Sequence, residues 1–295
     1  MTQNAVFSDI VFSTASNPLT APLPKNADLS PTERATERFS VRGNAIVTGG
    51  VGGIGMEACR ALLEHGLQGL SIFDLASRYA SEEAQAAIAF FEKEFPRVKI
   101  LKHVVDVTDE DSVQNAVEET VQTLGSVEIL LCFAGIGQAC SAENMSLEIF
   151  QRTLNVNATG SFLVAKHVGK QMIKQGTGGS IVFTASIAAH RIIYPVPQAA
   201  YNVSKGGILQ LKSSLAAEWA QYGIRVNSIS PGFFETVMTR QPGAQSGVET
   251  WEKRCPLGRM GQPDELTGPI IMFCSPAGRF ITGTDIIVDG GGLIY

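Results

Sequence analysis

Charge is thin in this chain, and what there is leans acidic. Only 17% of its 295 residues are charged, the formal net charge is −5, and no basic run occurs. A phosphate-backbone binder needs clustered Lys and Arg, so no nucleic-acid partner is expected. Cysteine is equally sparse: Cys59, Cys132, Cys140, Cys255 and Cys274 are odd in number, scattered, and never spaced C-x-x-C. Neither a disulfide framework nor a zinc site fits that pattern, which suits reduced thiols in a cytoplasmic protein. The histidines His65, His103, His167 and His190 fall on different predicted elements, so no metal site is expected. His190, nearest the presumptive substrate loops, reads as a surface histidine. No apolar run approaches the roughly 18 residues that cross a bilayer, so no membrane partner is expected. The opening "MTQNAVFSDIVFSTASNPLTAPLPK" has no basic start, no long apolar centre and no arginine, which argues against a secretory signal or a mitochondrial transit peptide.

What the chain does have is apolar content, 44% of residues, enough for one large α/β domain. Residues 1–40 are rich in Ser, Thr, Asn and Pro without a sustained period. They are expected to form a partly mobile extension that drapes over the domain or a partner subunit. From 41 to 295 the pattern alternates. "NAIVTGG", "GLSIFDL", "VKILKHVVDV", "VEILLCFAG", "GSIVFTAS", "IRVNSIS" and "TDIIVDGG" read as strands. Between them lie helical patterns: one from Ile54 to Gly66, one capped by Ser81, one begun by Thr108, one long helix over 147–176, and one from Gln198 to Ala220. A loop of about 30 residues follows the sixth strand, before a helix in "PDELTGPIIMFCS". Such alternation predicts a doubly wound, Rossmann-type parallel sheet with helices on both faces, in a single domain.

Thr48–Gly55, "TGGVGGIG", sits between the first strand and first helix, the context a dinucleotide site requires. There Gly49 permits a tight turn, Gly53 lets backbone approach a pyrophosphate, and Gly55 lets helix pack on sheet. Ile54 and its neighbours open the helix, whose N-terminus presents N–H groups to phosphate. Asp74 ends the second strand 19 residues beyond Gly55, where a carboxylate accepts from the ribose hydroxyls and repels a 2′-phosphate. No cation occurs in the glycine loop or at Leu75. NAD is therefore the expected cofactor, with NADP second because Arg78 stands near.

Tyr201 and Lys205 lie four apart on one predicted helix, hence on one face. A free tyrosine titrates near 10, and lowering it by 2 to 3 units takes roughly 3 to 4 kcal/mol. One ammonium about 4 Å away, at an effective dielectric near 20, supplies about 4 kcal/mol. Lys205 is thus sufficient to turn the phenol into a proton shuttle.

These motifs resemble the short-chain dehydrogenase/reductase family. Thr48, Gly49, Gly53 and Gly55 match its T-G-x-x-x-G-x-G, and Tyr201 and Lys205 its Y-x-x-x-K. Ser186, in "FTAS" 15 residues before the tyrosine, matches its catalytic serine, and Asn157 in "NVNATG" its helical asparagine. The resemblance implies that Ser186 holds the substrate oxygen, that Lys205 also binds the nicotinamide ribose, and that Asn157 holds a proton-relaying water. It implies that Asp106 and Val107 bracket the adenine, that Ala134 and Gly135 pass close to the cofactor, and that Pro231, Gly232 and Thr236 face the carboxamide. It also implies a homotetramer or homodimer. One motif departs: Cys132 and Phe133 replace both asparagines of the family's N-N-A-G.

The framework around Tyr201 and the "TGTDIIVDGG" ending look most like polyol dehydrogenases and ketose reductases, D-arabinitol 2-dehydrogenase among them. That implies a small-molecule substrate that is a sugar alcohol or ketose. The pocket segments point elsewhere, because Ile192, Ile193, Tyr194, Val196, Phe233, Phe234 and Met238 are apolar. A bulkier apolar ketone is the alternative, and a nucleotide-sensing protein with a disabled site is a third reading. The long loop is expected to close as a lid.

Overall fold

All five residues of strand β1, Asn44–Thr48, are buried, which a strand reaches only when both sheet faces are covered. The computed structural model describes residues 9–22, 28–236 and 245–294. Beyond β1 the strands are β2 (Gly69–Asp74), β3 (Lys99–Val104), β4 (Ile129–Cys132), β5 (Gly179–Thr184), β6 (Ile224–Pro231) and β7 (Asp285–Val288). All pair in parallel in the order β3-β2-β1-β4-β5-β6-β7. The chain winds outward from β1 to β3, then restarts at β4 on the other side of β1. That reversal opens a crevice at the strands' carboxyl ends, where such sheets bind ligands.

Strand alternation sorts the core into two layers. Val47, Ile72 and Leu131 point one way, against α2 (Gly53–Glu64), α4 (Glu82–Glu94) and α10 (Thr267–Cys274). Ile46, Phe73, Leu130 and Phe183 point the other way, against α5 (Glu110–Leu124), α7 (Ser161–Gln175) and α8 (Ala199–Trp219). Phe73, Phe183 and Phe273 are almost wholly buried, each stabilising the fold by about 1.5–3 kcal/mol. The doubly wound single domain expected from the sequence is present. Among the described residues no helix is long and apolar enough to cross a membrane.

Several boundaries differ from expectation. Thr108 does not begin α5; Asp109 does, its carboxylate accepting from Asp111 N and Ser112 N, because a charged acceptor at the N-cap outcompetes a hydroxyl already donated to Asp106. The long helix is α6 (Leu147–Leu154) and α7, joined through a π-helical turn, Asn155–Gly160. The loop of about 30 residues contains α9 (Gln245–Arg254). A short α3 (Ala76–Tyr79) follows β2.

The N-terminal extension holds a helix, α1 (Pro31–Arg38), with a reciprocal capping box between Ser30 and Glu33. The signal was present in the sequence as S-x-x-E with Pro at the first turn. Upstream, Asn17 donates to Gln221 O at 2.7 Å, and Leu19 fills the space beside Gly223, whose φ is +71°.

Candidate active site

The glycine turn is built by exclusion of side chains. Gly49 has φ +66°, and a Cβ there would lie 2.7 Å from Ala134 N. A Cβ at Gly55 would collide with the Gly49 carbonyl. Gly49 N donates to Phe73 O and Gly52 N to Gly49 O, which folds the loop over β1. α2 then starts at Gly53 with no side-chain cap, so its first N–H groups are available at the crevice. The cavity they border has a volume of about 1560 Å³ and reaches from Gly49 and Asp74 to Ser186 and Tyr201.

Asp74 Oδ2 accepts from Val51 N at 3.2 Å and Oδ1 from Leu75 N at 2.9 Å. Partial burial still pushes its carboxyl above the usual range, against those two amides and the Arg78 guanidinium. Arg78 borders the same cavity, its Nη2 lying 3.8 Å from where a Gly52 side chain would begin. Asp106, Val107, Ala134, Gly135, Pro231 and Gly232 also line the cavity. Val107 is seated against Gly160, where any Cβ would be 2.6 Å from Val107 Cγ2. Ile54 and Thr236 line it as well, and Thr236 Cγ2 lies 3.5 Å from the Cβ position of Gly53. Thr48 is placed differently: it is buried, and its hydroxyl accepts from Ala134 N at 3.3 Å, bracing β1 to β4 beneath the cavity.

At the other end, Ser186 caps a 3-10 turn, Ile187–Ala189, and accepts from Ala188 N at 3.1 Å. Ser186 also lies near enough to the Tyr201 hydroxyl to act against the rise of its pKa. Lys205, buried on the same face of α8, donates to Thr184 O at 2.6 Å and stands 5.7 Å from the Tyr201 ring centroid. The sequence led to the expectation of a phenol acidified by this ammonium. In this structure burial instead pushes Tyr201 up, with only the Ser186 hydrogen bond opposing it, and pushes Lys205 down to about 8. The Lys205 ammonium is turned toward the Thr184 carbonyl and does not offset the phenol's burial. The phenol's acidity therefore needs a further positive charge in the cavity.

Asn157 sits in the π-helical turn. Its Oδ1 accepts from Ile136 N at 2.8 Å, and its Nδ2 donates to Ile136 O and Ser204 Oγ, both at 2.9 Å. It clamps the segment after β4 to α8. Cys132, in place of the family asparagine, is buried beside Lys205, and burial pushes its thiol up, consistent with an unreactive side chain.

His190 is exposed, as expected of a surface histidine, and its Nε2 lies 2.9 Å from Asp285 Oδ2 and 3.1 Å from Ser230 Oγ, so it ties the Ser186 turn to β6 and β7. Trp251 of α9 stacks on Phe233, centroids 4.5 Å apart. Met238 lies outside the described residues.

A cavity that joins a glycine turn, a strand-end carboxylate and a Ser–Tyr–Lys cluster at the switch point defines a Rossmann-type oxidoreductase. The family model described as "Enoyl-(Acyl carrier protein) reductase" matches residues 49–292, and the chain belongs to the short-chain dehydrogenase/reductase family. It is an NAD(P)-dependent oxidoreductase acting on alcohol groups. It is similar to L-rhamnose 1-dehydrogenase (NAD(P)(+)) of Sphingomonas sp., 34% identical over 83% of this chain and 94% of the relative. It is also similar to D-arabinitol 2-dehydrogenase of Candida tropicalis, 31% identical over 83% of this chain and 90% of the relative. A crystal structure of gluconate 5-dehydrogenase from Burkholderia cenocepacia, in complex with NADP and tartrate, superposes with a TM-score of 0.77 at 32% identity, covering 87% of this chain and 98% of that one.

Proposed function

We propose that this enzyme interconverts a polyol and its ketose. The observation that carries the reading is one cavity lined by Ser186, Tyr201 and Lys205 together with the glycine turn and Asp74. The sugar substrates named for the relatives support the choice of a polyol. The cavity fits a dinucleotide, because Gly49, Gly52, Gly53 and Gly55 border it without side chains and α2 begins there with no side-chain cap on its first N–H groups. When bound, the dinucleotide accepts or supplies the hydride at its nicotinamide carbon.

The chain's own groups handle the proton. Ser186 donates to the substrate oxygen and holds it near the Tyr201 hydroxyl. Tyr201 gives its proton to a ketone oxygen or takes one from an alcohol. Lys205 keeps positive charge beside the phenol and reaches the nicotinamide ribose, while Asn157 fixes the backbone of Ile136 next to both. In this reading Thr48, Ile54, Asp106, Val107, Ala134, Gly135, Pro231, Gly232 and Thr236 shape or line the cofactor's berth. NAD is preferred through Asp74; Arg78 at the same rim is the feature that admits NADP.

Assembly as a homotetramer or homodimer belongs to the proposal, supported by apolar Leu147, Phe162 and Val203 exposed on α6, α7 and α8. So does a cytoplasmic location, supported by cysteines that are all free. The test follows NADH fluorescence with pentitols, hexitols, ketoses and apolar ketones, using NAD and NADP. Turnover of polyols and not of apolar alcohols supports the reading; the reverse selects the bulkier apolar ketone.

A further inference from the structure

The cavity lining includes the apolar side chains of Ile187, Ile193, Phe233 and Phe234. It also includes two glutamines, the exposed Gln138 and the half-buried Gln198. Neither side-chain amide has a hydrogen-bond partner among the described residues. Gln198 is the more telling. It occupies the N-cap position of α8, with φ −153° and ψ 50°, yet its side chain makes no capping bond. The amide is thus not committed to the helix end, and it stands three residues and about one turn before Tyr201.

Gln138 reaches the same place along a different route. The main chain at Gly137 runs against the Tyr201 ring, so that a Cβ there would lie 3.3 Å from Tyr201 Cδ2, and Gln138 is the next residue. The two segments are fastened together: Cys140 N donates to Pro197 O at 2.8 Å, and Cys140 pairs with Gln198 in a parallel bridge. The two glutamines are thus carried on one braced wall beside the proton-transferring hydroxyl.

Each primary amide offers an acceptor oxygen and two N–H donors. Two of them in a cavity that also has apolar lining match an open-chain polyol, which presents both hydroxyls and C–H bonds. A plain ketone offers neither amide a partner and covers the half-buried Gln198 without pairing it, which disfavours it. We propose that Gln138 and Gln198 together read the hydroxyls on the carbons next to the reacting one, and so select a polyhydroxylated substrate over a simple secondary alcohol or ketone. This rests on the polyol reading given above.

The test uses the full chain and four proteins: wild type, Gln138→Leu, Gln198→Leu and Gln198→Glu. Each is assayed for oxidation of D-mannitol, D-arabinitol and 2-butanol, with NADH affinity measured by fluorescence. Wild type should prefer the polyols. Each leucine variant should lose about 10- to 100-fold in polyol kcat/KM, mostly in KM, with 2-butanol turnover and NADH affinity unchanged. Gln198→Glu, which keeps the acceptors, should lose less than Gln198→Leu. If wild type turns over polyols but the leucine variants keep the wild-type ratio of polyol to 2-butanol, the inference fails and the polyol reading stands. A leucine variant that loses both substrates equally also overturns it. If wild type turns over 2-butanol and no polyol, the polyol reading itself fails.

Discussion

The floor of the crevice and its rim are held in different ways. On the floor, the glycine turn, the carboxylate at the end of β2 and the Asn157 clamp are fixed by backbone hydrogen bonds and by neighbours with no room to yield. The rim, over residues 187–198 and 255–262, is fastened by ties such as His190–Asp285, Cys140–Pro197 and Arg259–Glu265, and Ile192 and Tyr194 stand mostly exposed. Proton transfer therefore rests on parts that cannot shift without local unfolding, whereas substrate choice rests on parts that can be exchanged cheaply.

Breaking the floor should cost most. Lys205→Met should lower turnover about a thousandfold. It should also raise Tm by about 2–6 °C in the cofactor-free protein, since a buried ammonium that titrates near 8 is held at the expense of stability at neutral pH. A loss of both activity and stability would contradict that trade. Asp74→Ala sharpens the cofactor side: the ratio of kcat/KM for NAD over NADP should drop about 10- to 100-fold, because a charged acceptor for the ribose hydroxyls is gone and Arg78 is left beside the site. An unchanged ratio would remove Asp74 from cofactor selection. On the rim, His190→Ala should cost about 1–2 kcal/mol, read from the urea midpoint, with NADH affinity unaffected.

Glu265→Gln should have the smallest effect, and that effect has a sign. Arg259 holds the Glu265 carboxyl at about 2, against an unperturbed 4.5. A depressed carboxylate contributes stability above its unfolded pKa and loses it as pH falls through the folded one. The variant and the parent should therefore differ slightly at pH 6 and converge between pH 4.5 and 2. A gap that widens in acid would contradict the pairing.

The floor was also what the sequence disclosed. Short-range rules sufficed there: glycines between an apolar run and a helical period, an aspartate at a strand end, Tyr201 and Lys205 one turn apart. The rim was not legible because its geometry comes from contacts distant in sequence, such as His190 with Asp285. The Asn157 clamp escaped for the same reason, since its partner Ile136 is 21 residues away. At Thr48 the structure adds what the motif did not tell, a buried hydroxyl that braces the chain after β4. The phenol's acidity went furthest from expectation, because spacing along a helix gives proximity but not which way an ammonium turns when a carbonyl competes for it.

Central to all of this is proton transfer through the hydroxyl at position 201. Replacing Tyr201 with Phe and measuring steady-state reduction of a ketose alongside NADH binding tests it most directly. Turnover should fall by about a thousandfold or more while NADH affinity stays within about twofold of the parent. A phenylalanine enzyme that keeps a tenth or more of the parental rate would mean that some other group carries the proton.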